Sequence, residues 1–326
     1  MTLLNLPEIQ KKIDQLFTSE NFRKEPIELY NPIDYTLKLG GKRIRPAMLL
    51  AACQMFGGDI ERAYNAAIGI EVVHNFTLLH DDLMDRSPLR RGLPTVYTKW
   101  DENTAILSGD AMLILAYQYL TKDPHDNIHA IINTFNDMAC EVMKGQQYDL
   151  NFEHRSDVSA EEYLDMIHLK TAALFIGALR IGGLIAHANA QDLDYLETFG
   201  HHLGLAFQIQ DDMLDTFGDE AKFGKKPGQD IRDNKKTILL ITALKQCTQS
   251  QQQELASWLQ FSPADSDEKV HAVREIYNQL DIPRQMNQLI AHHYQMAQTA
   301  LRQIEIAQSN KASMQQLMEQ LLHRNK

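Results

Sequence analysis

The sequence predicts an all-α protein, a single large helical bundle. Three observations carry that prediction. Apolar residues recur at three- and four-residue spacing over most of the chain. Alternating β-branched runs joined by hairpin turns are absent. Breakers separate the periodic runs: Gly40-Gly41, Gly57-Gly58, Ser87-Pro88, Asp123-Pro124, Gly182-Gly183 and the stretch from Gly218 to Gly228.

Taken in order, the spacing predicts helices over Ile27–Leu39, Arg45–Phe56, Ala63–Leu79, Ala105–Leu120 and Ile128–Met143. It continues with Ala160–Ile167, Leu193–Asp215, Lys235–Leu244, Glu268–Leu280 and Met286–Ile306. The most apolar run, Thr171–Ala186, follows Lys170 and contains Arg180. It reads as a buried helix, too short and too charged to span a bilayer. The Gln-rich segment Gln249–Gln253 reads as a surface turn. No Pro/Gly/Ser-rich linker divides the chain, so residues 1–326 are expected to form one domain.

With 44% hydrophobic residues the chain has enough apolar mass for a sizeable core. A net charge of −11 argues against a nucleic-acid partner, because phosphate backbones need a basic face. Cys53, Cys140 and Cys247 are odd in number and far apart. They form neither a disulfide framework nor a CxxC metal site, which points to a reducing cytoplasm. The N-terminal MTLLNLPEIQKKIDQLF lacks the basic and apolar regions of a signal peptide.

The chemistry lies in two clusters, Asp81-Asp82-Leu83-Met84-Asp85 and Asp211-Asp212-Met213-Leu214-Asp215. On a helix, Asp81 and Asp85 share a face with Asp82 on its shoulder, and Asp211 and Asp215 repeat that geometry. Both clusters end apolar runs, where an aspartate opposes the helix macrodipole and a lysine would be favoured. At this aspartate content a DDxxD is expected by chance only about 0.15 times in the chain. Carboxylates so arranged suit a hard cation such as Mg2+ that also binds substrate phosphate.

Basic residues surround the clusters in sequence: Lys42, Arg43 and Arg45 in GGKRIRP, Arg90 and Arg91 in RRG, Lys170 before Thr171, Lys225-Lys226, and Lys235-Lys236. Any one of them alone is most simply a solvated charge. Together they suit a substrate with more than one phosphate-like group.

These motifs resemble the trans-isoprenyl diphosphate synthases of the polyprenyl synthetase family. The resemblance runs from about Tyr35 to Lys236. It rests on GGKRIRP, EVVHNFTLLHDDLMDRSPLRRG, GQQYDL, Lys170-Thr171, FQIQDDMLD and GKKPGQDIRDNK, in that order. It implies the isoprenoid synthase fold with a deep central cavity, a homodimer and three Mg2+ ions. The implied activity condenses isopentenyl diphosphate with allylic diphosphates. Asp81, Asp85 and Asp211 would ligate Mg2+, supported by Asp82, Asp212 and Asp215. Arg90, Lys170 and Lys225 would hold the allylic diphosphate. Lys42, Arg45, His74 and Arg91 would hold isopentenyl diphosphate. Thr171 and Gln208 would place oxygens near the reacting carbons, Gln146 and Asp149 would line the site, and Lys235 would close it.

His74 unaided would read as a core or surface histidine. It lies about 10 Å before Asp81, on nearly the same helix face. Phe76, five positions before Asp81, and Thr77 beside it fall where the family's chain-length floor lies. That favours a geranylgeranyl product, with farnesyl as the alternative. A terpene cyclase would carry an Asn/Ser/Glu metal motif in place of the second DDxxD. A non-catalytic subunit of a heteromeric synthase would lose one cluster, and both are intact here.

Overall fold

The structure is a computed structural model and describes residues 3–219, 227–260 and 267–322. Its helices, in chain order, are α1 Leu6–Ser19, α2 Ile27–Lys38, α3 Ile44–Met55, α4 Tyr64–Met84, α5 Val96–Lys99, α6 Glu102–Leu120, α7 Ile128–Glu153 and α8 Ala160–Ile167. They continue with α9 Ala173–Ile185, α10 Ala190–Phe217, α11 Gln229–Arg232, α12 Ile238–Gln246, α13 Gln249–Leu259, α14 Asp267–Gln279, α15 Ile282–Gln303 and α16 Gln308–Leu322. Packing divides the chain into two compact units. The first comprises Met1–Ala139, Leu174–Glu197 and Ile304–Gln320. The second comprises Cys140–Ala173, Thr198–Gln303 and Leu321–Lys326.

In the first unit, α3 and α4 are apolar around most of their circumference and buried along most of their length. A helix without a polar face belongs in the middle of a bundle. Amphipathic α1 lies outside the predicted helices. It buries Leu6, Ile9, Ile13 and Phe17, and a capping box between Asn5 and Glu8 starts it. The interval of three or four between its apolar residues is the ordinary helical signal.

A hairpin of two-residue strands, β1 Leu89–Arg90 and β2 Leu93–Pro94, follows α4. Arg91 and Gly92, with φ of 54° and 77°, turn it. The sequence pattern predicts no hairpin, because strands this short leave no room for alternation.

In the second unit the core joins Tyr163, Met166 and Ile167 of α8, Leu205 and Ile209 of α10, Leu239 and Leu240 of α12, and Val273 and Tyr277 of α14. Two expectations change. Gln249–Gln253 is the start of helix α13, because Thr248 accepts from the Gln251 N–H and Gln251 closes the capping box in return. The apolar run is longer than its sequence suggested. A π turn, His168–Ala172, joins α8 to α9 without a break. Ala160–Ile185 is therefore long and apolar enough by composition to cross a membrane, and most of it is buried in the protein.

Candidate active site

The first aspartate cluster sits at the end of α4. Met84 is the last helical residue and Asp85 its C-cap, with the Asp85 N–H donating to the Asp81 carbonyl at 2.8 Å. Asp82 is nearly buried, and Arg90 grips it: Nη2 and Nε lie 2.6 and 2.8 Å from Oδ1, and Nε is 3.1 Å from Oδ2. A charge taken out of water needs such a partner. The β-hairpin delivers it.

The same hairpin brings Arg91 to the GGKRIRP loop, where its guanidinium donates to the Gly40 carbonyl. Gly41 has φ +134°, a conformation that favours glycine, and a Cβ there would displace only the movable tip of the Arg91 guanidinium. Arg43 in that loop turns inward. It donates to the Leu37 carbonyl at 2.6 Å, pairs with Glu71 at 3.3 Å and stacks over Phe17. Lys42 and Arg45 are the loop's other two cations, Lys42 exposed and Arg45 half-buried.

Arg45 lies over the Phe175 ring, with its Nη1 3.1 Å from His74 Nε2. A guanidinium only donates, so His74 Nε2 accepts and the ring proton sits on Nδ1. Burial, and then Arg45, Arg91, Arg90 and Arg43, hold His74 well below the usual imidazole range. It is a neutral acceptor for the Arg45 guanidinium.

The second cluster lies on α10. Asp212 is buried and accepts from the Tyr163 hydroxyl and from Gln208 Nε2 at 3.0 Å. Gln208 Oε1 in turn accepts from Thr171 Oγ1 at 2.9 Å. Thr171 and Lys170 belong to the π turn, a helical irregularity often found at functional sites. Lys170 Nζ pairs with Asp149 at 2.6 Å. Burial opposes the Asp149 charge, but Lys170 and Lys235 outweigh it and hold its carboxyl below the usual range.

Asp215 Oδ2 accepts from the Asp230 N–H at 2.9 Å. Burial first, with Asp230 repelling Asp212 and Asp215 repelling Asp230, pushes the carboxyls of Asp212, Asp215 and Asp230 above their ordinary range, against the pull of Lys235. Gln146 is buried with neither amide atom hydrogen-bonded.

This donor set fits Mg2+. It offers hard carboxylate oxygens, and a cation beside Asp212, Asp215 and Asp230 would offset the burial and mutual repulsion that raise their carboxyls. Among the described residues no three His, Cys, Asp or Glu side chains form a ready-made cage. Mg2+ needs none, since it takes one or two carboxylates and fills its shell with water and phosphate oxygens.

The polyprenyl synthetase family pattern matches residues 26–279, and both clusters fall inside that span. The chain belongs to the polyprenyl synthetase family. It is a prenyltransferase that condenses isopentenyl diphosphate head to tail, its activity depends on Mg2+, and its fold is the isoprenoid synthase fold. It is 43% identical over 245 residues to a geranylgeranyl diphosphate synthase of Sulfolobus acidocaldarius, covering 74% of each chain. It is 42% identical over 248 residues to one of Saccharolobus solfataricus, covering 74% of this chain and 75% of that one. A crystal structure of a geranylgeranyl pyrophosphate synthase superposes with TM-score 0.93 at 40% identity, over 99% of this chain and all of the other.

Of the residues the resemblance singles out in the first unit, Asp82 with Arg90 and Arg45 with His74 are brought into direct contact. In the second unit Asp149, Lys170, Thr171, Gln208 and Asp212 are linked by hydrogen bonds, as two separate links, and Lys235 adds its charge to Asp149, Asp212 and Asp215. Lys225 lies outside the described residues. Thr77 spends its hydroxyl on the His74 carbonyl at 2.8 Å. Two residues of the site escaped the sequence reading. Asp230 stood within GKKPGQD and could have been found there. Tyr163 carried no signal, since nothing in a single sequence ties it to an aspartate 49 positions on.

Proposed function

We propose that this chain makes the twenty-carbon all-trans geranylgeranyl diphosphate from isopentenyl diphosphate and the allylic dimethylallyl, geranyl and farnesyl diphosphates. The observation that carries the length is Phe76, an aromatic ring only 7% exposed, just over one helical turn before Asp81. A buried phenyl at that depth stops a tail early. The names of the two archaeal relatives agree. Farnesyl diphosphate and a longer polyprenyl diphosphate are the alternative products.

The two units act as one catalytic domain, because the reaction needs both aspartate clusters. Arg90, through Nη1, and Lys170, with its remaining N–H groups, hold the allylic diphosphate, and Lys225 has the same role. Positive charge at the departing oxygens favours ionisation of the allylic C–O bond. Asp81, Asp85 and Asp211 would hold Mg2+, three ions, which would supply further neutralisation of the leaving diphosphate. Asp82, Asp212 and Asp215 support those ligands. Lys42, Arg45 and Arg91 hold the second diphosphate, with His74 aiming Arg45, so that the isopentenyl alkene faces the cation. Thr171 and Gln208 turn oxygen lone pairs towards it, Gln146 and Asp149 line the site, and Lys235 closes it. No side chain is needed as base, since the departing diphosphate takes the proton.

The working form is a cytoplasmic homodimer. On α6, Ile106, Leu107 and Ile114 are 47%, 61% and 59% exposed and form an apolar stripe that a second copy would cover. Sedimentation returning a monomer at assay concentrations would overturn the dimer.

The activity test supplies dimethylallyl and isopentenyl diphosphates with Mg2+. It follows diphosphate release and chromatographs the dephosphorylated products. A twenty-carbon main product is expected, with longer chains from Phe76→Ala. A fifteen-carbon product from the wild type, or an unchanged distribution from folded Phe76→Ala, would sink the length assignment.

A further inference from the structure

We infer that His80, seated in a notch at Gly109, is a specificity-determining residue: it clamps the Phe76 ring and so sets the longest product. The inference rests on Phe76 being the floor. His80 and Phe76 are four apart on α4 and share a face. Their rings meet edge to face, centroids 4.8 Å apart at 67°. On its other side the imidazole reaches α6, where Nε2 lies 3.2 Å from the Ile106 carbonyl. A carbonyl only accepts, so Nε2 carries the proton and donates.

Gly109 makes that approach possible. A Cβ there would lie 2.6 Å from His80 Cδ2 and 3.0 Å from Cε1, in the space the imidazole occupies. The floor is therefore a chain of three parts: α6 backbone, imidazole, phenyl. A phenyl ring stops a tail only as firmly as its backing holds it. Phe76 alone could swing to another staggered rotamer. Backed by a ring that is itself hydrogen-bonded to a helix, it yields only if that bond breaks. Thr77 adds no clamp, with its hydroxyl already bonded to the His74 carbonyl. Asp81 points about 100° round α4 from His80, so loosening the clamp is expected to change where elongation stops rather than whether it starts.

The test compares wild type, Phe76→Ala, His80→Ala, Gly109→Ala and the His80→Ala/Gly109→Ala pair. All are assayed at one fixed ratio of dimethylallyl to isopentenyl diphosphate with Mg2+, reading product lengths and total diphosphate release. His80→Ala is expected to raise the ratio of longer to wild-type product about tenfold, the change that ~1.4 kcal/mol less resistance gives, with diphosphate release maintained. Gly109→Ala should alter the distribution when His80 is present and leave it unchanged when His80 is alanine. If Phe76→Ala lengthens the product and His80→Ala does not, the clamp is wrong and the floor stands. If neither lengthens it, the floor reading fails and the clamp with it. Lower turnover with an unaltered distribution in His80→Ala would also overturn the clamp, leaving a structural role only. Should His80→Ala not fold, His80→Phe keeps the ring and removes the hydrogen bond. It is expected to lengthen products less than a loss of the ring, and an unchanged distribution would count against the clamp.

Discussion

The two aspartate clusters share a five-residue pattern and differ in what holds the middle carboxylate. Asp82 is held by a guanidinium, in two bonds from Nε and Nη2 of Arg90. Asp212 is held by uncharged donors, the Tyr163 hydroxyl and the Gln208 amide, with Asp230 adding repulsion. At the first cluster a cation is bonded directly to the buried carboxylate. At the second, burial and Asp230 push Asp212 above its ordinary range, and the Lys235 charge offsets this only in part. A shared motif thus specifies the carboxylates, and the neighbouring elements decide how the middle one is held.

The sharpest test of the comparison is to remove one ligand charge from each cluster while keeping its shape. Asp81→Asn and Asp211→Asn are each expected to lower kcat about a thousandfold, or ~4 kcal/mol of transition-state stabilisation. If the clusters serve one leaving group, the double variant should lose little more than the worse single, because groups acting as a unit are not additive. Steady-state diphosphate release measures all three. Fully multiplicative losses would mean that the clusters act in separate steps.

The next test bears on stability. Arg90→Ala leaves Asp82 almost buried without its cation, which costs about 3–5 kcal/mol. Tyr163→Phe removes a neutral donor from an aspartate that keeps its Gln208 bond and already favours the protonated form, so the cost should be nearer ~1–3 kcal/mol. Urea denaturation at neutral pH compares the two. Equal losses, or a larger one for Tyr163→Phe, would erase the distinction between the clusters.

How the motif was legible and its setting was not follows from the same contrast. The helical class, the two clusters and their faces could be read because period and spacing are local properties. Helix α1 carried the same periodic signal, and the Gln-rich start of α13 was misread because a capping box overrode a polar composition. Arg90 was visible as a charge, but its grip on Asp82 depends on a two-residue hairpin too short to show alternation. Tyr163 and Asp212 meet through tertiary packing alone. The inward turn of Arg43 beside exposed Lys42 is likewise set by Glu71 and Phe17, which no spacing rule connects to it.

The smallest expected effect extends the comparison along α10, where histidines pair with one another. His201 Nδ1 lies 2.9 Å from His168 Nδ1, and His202 Nδ1 lies 3.0 Å from His293 Nδ1. Each pair works only if one ring accepts, so at least one must stay neutral. Burial, and then the neighbouring histidines, push His201 and His293 down from 6.5 to about 4. A histidine depressed in the folded state takes up its proton in the unfolded state first. Stability is therefore complete above about pH 6.5 and drains away as pH falls from there towards about 4. Near the first cluster one imidazole, His74, is depressed in the same way by burial and then Arg45, Arg91, Arg90 and Arg43. The α10 side has three, His201, His202 and His293, and should thus be the more acid-sensitive of the two. Replacing buried His293 by Gln keeps a polar group of similar reach and removes one titration. Between pH 8 and pH 5 the wild type should lose about 2 kcal/mol more than His293→Gln, which is one proton over the 1.5 units below 6.5 at ~1.4 kcal/mol each. Urea midpoints at the two pH values measure the difference, and carboxylate titrations common to both proteins cancel. Parallel pH dependences would show that the histidine contacts of α10 are not what acid breaks.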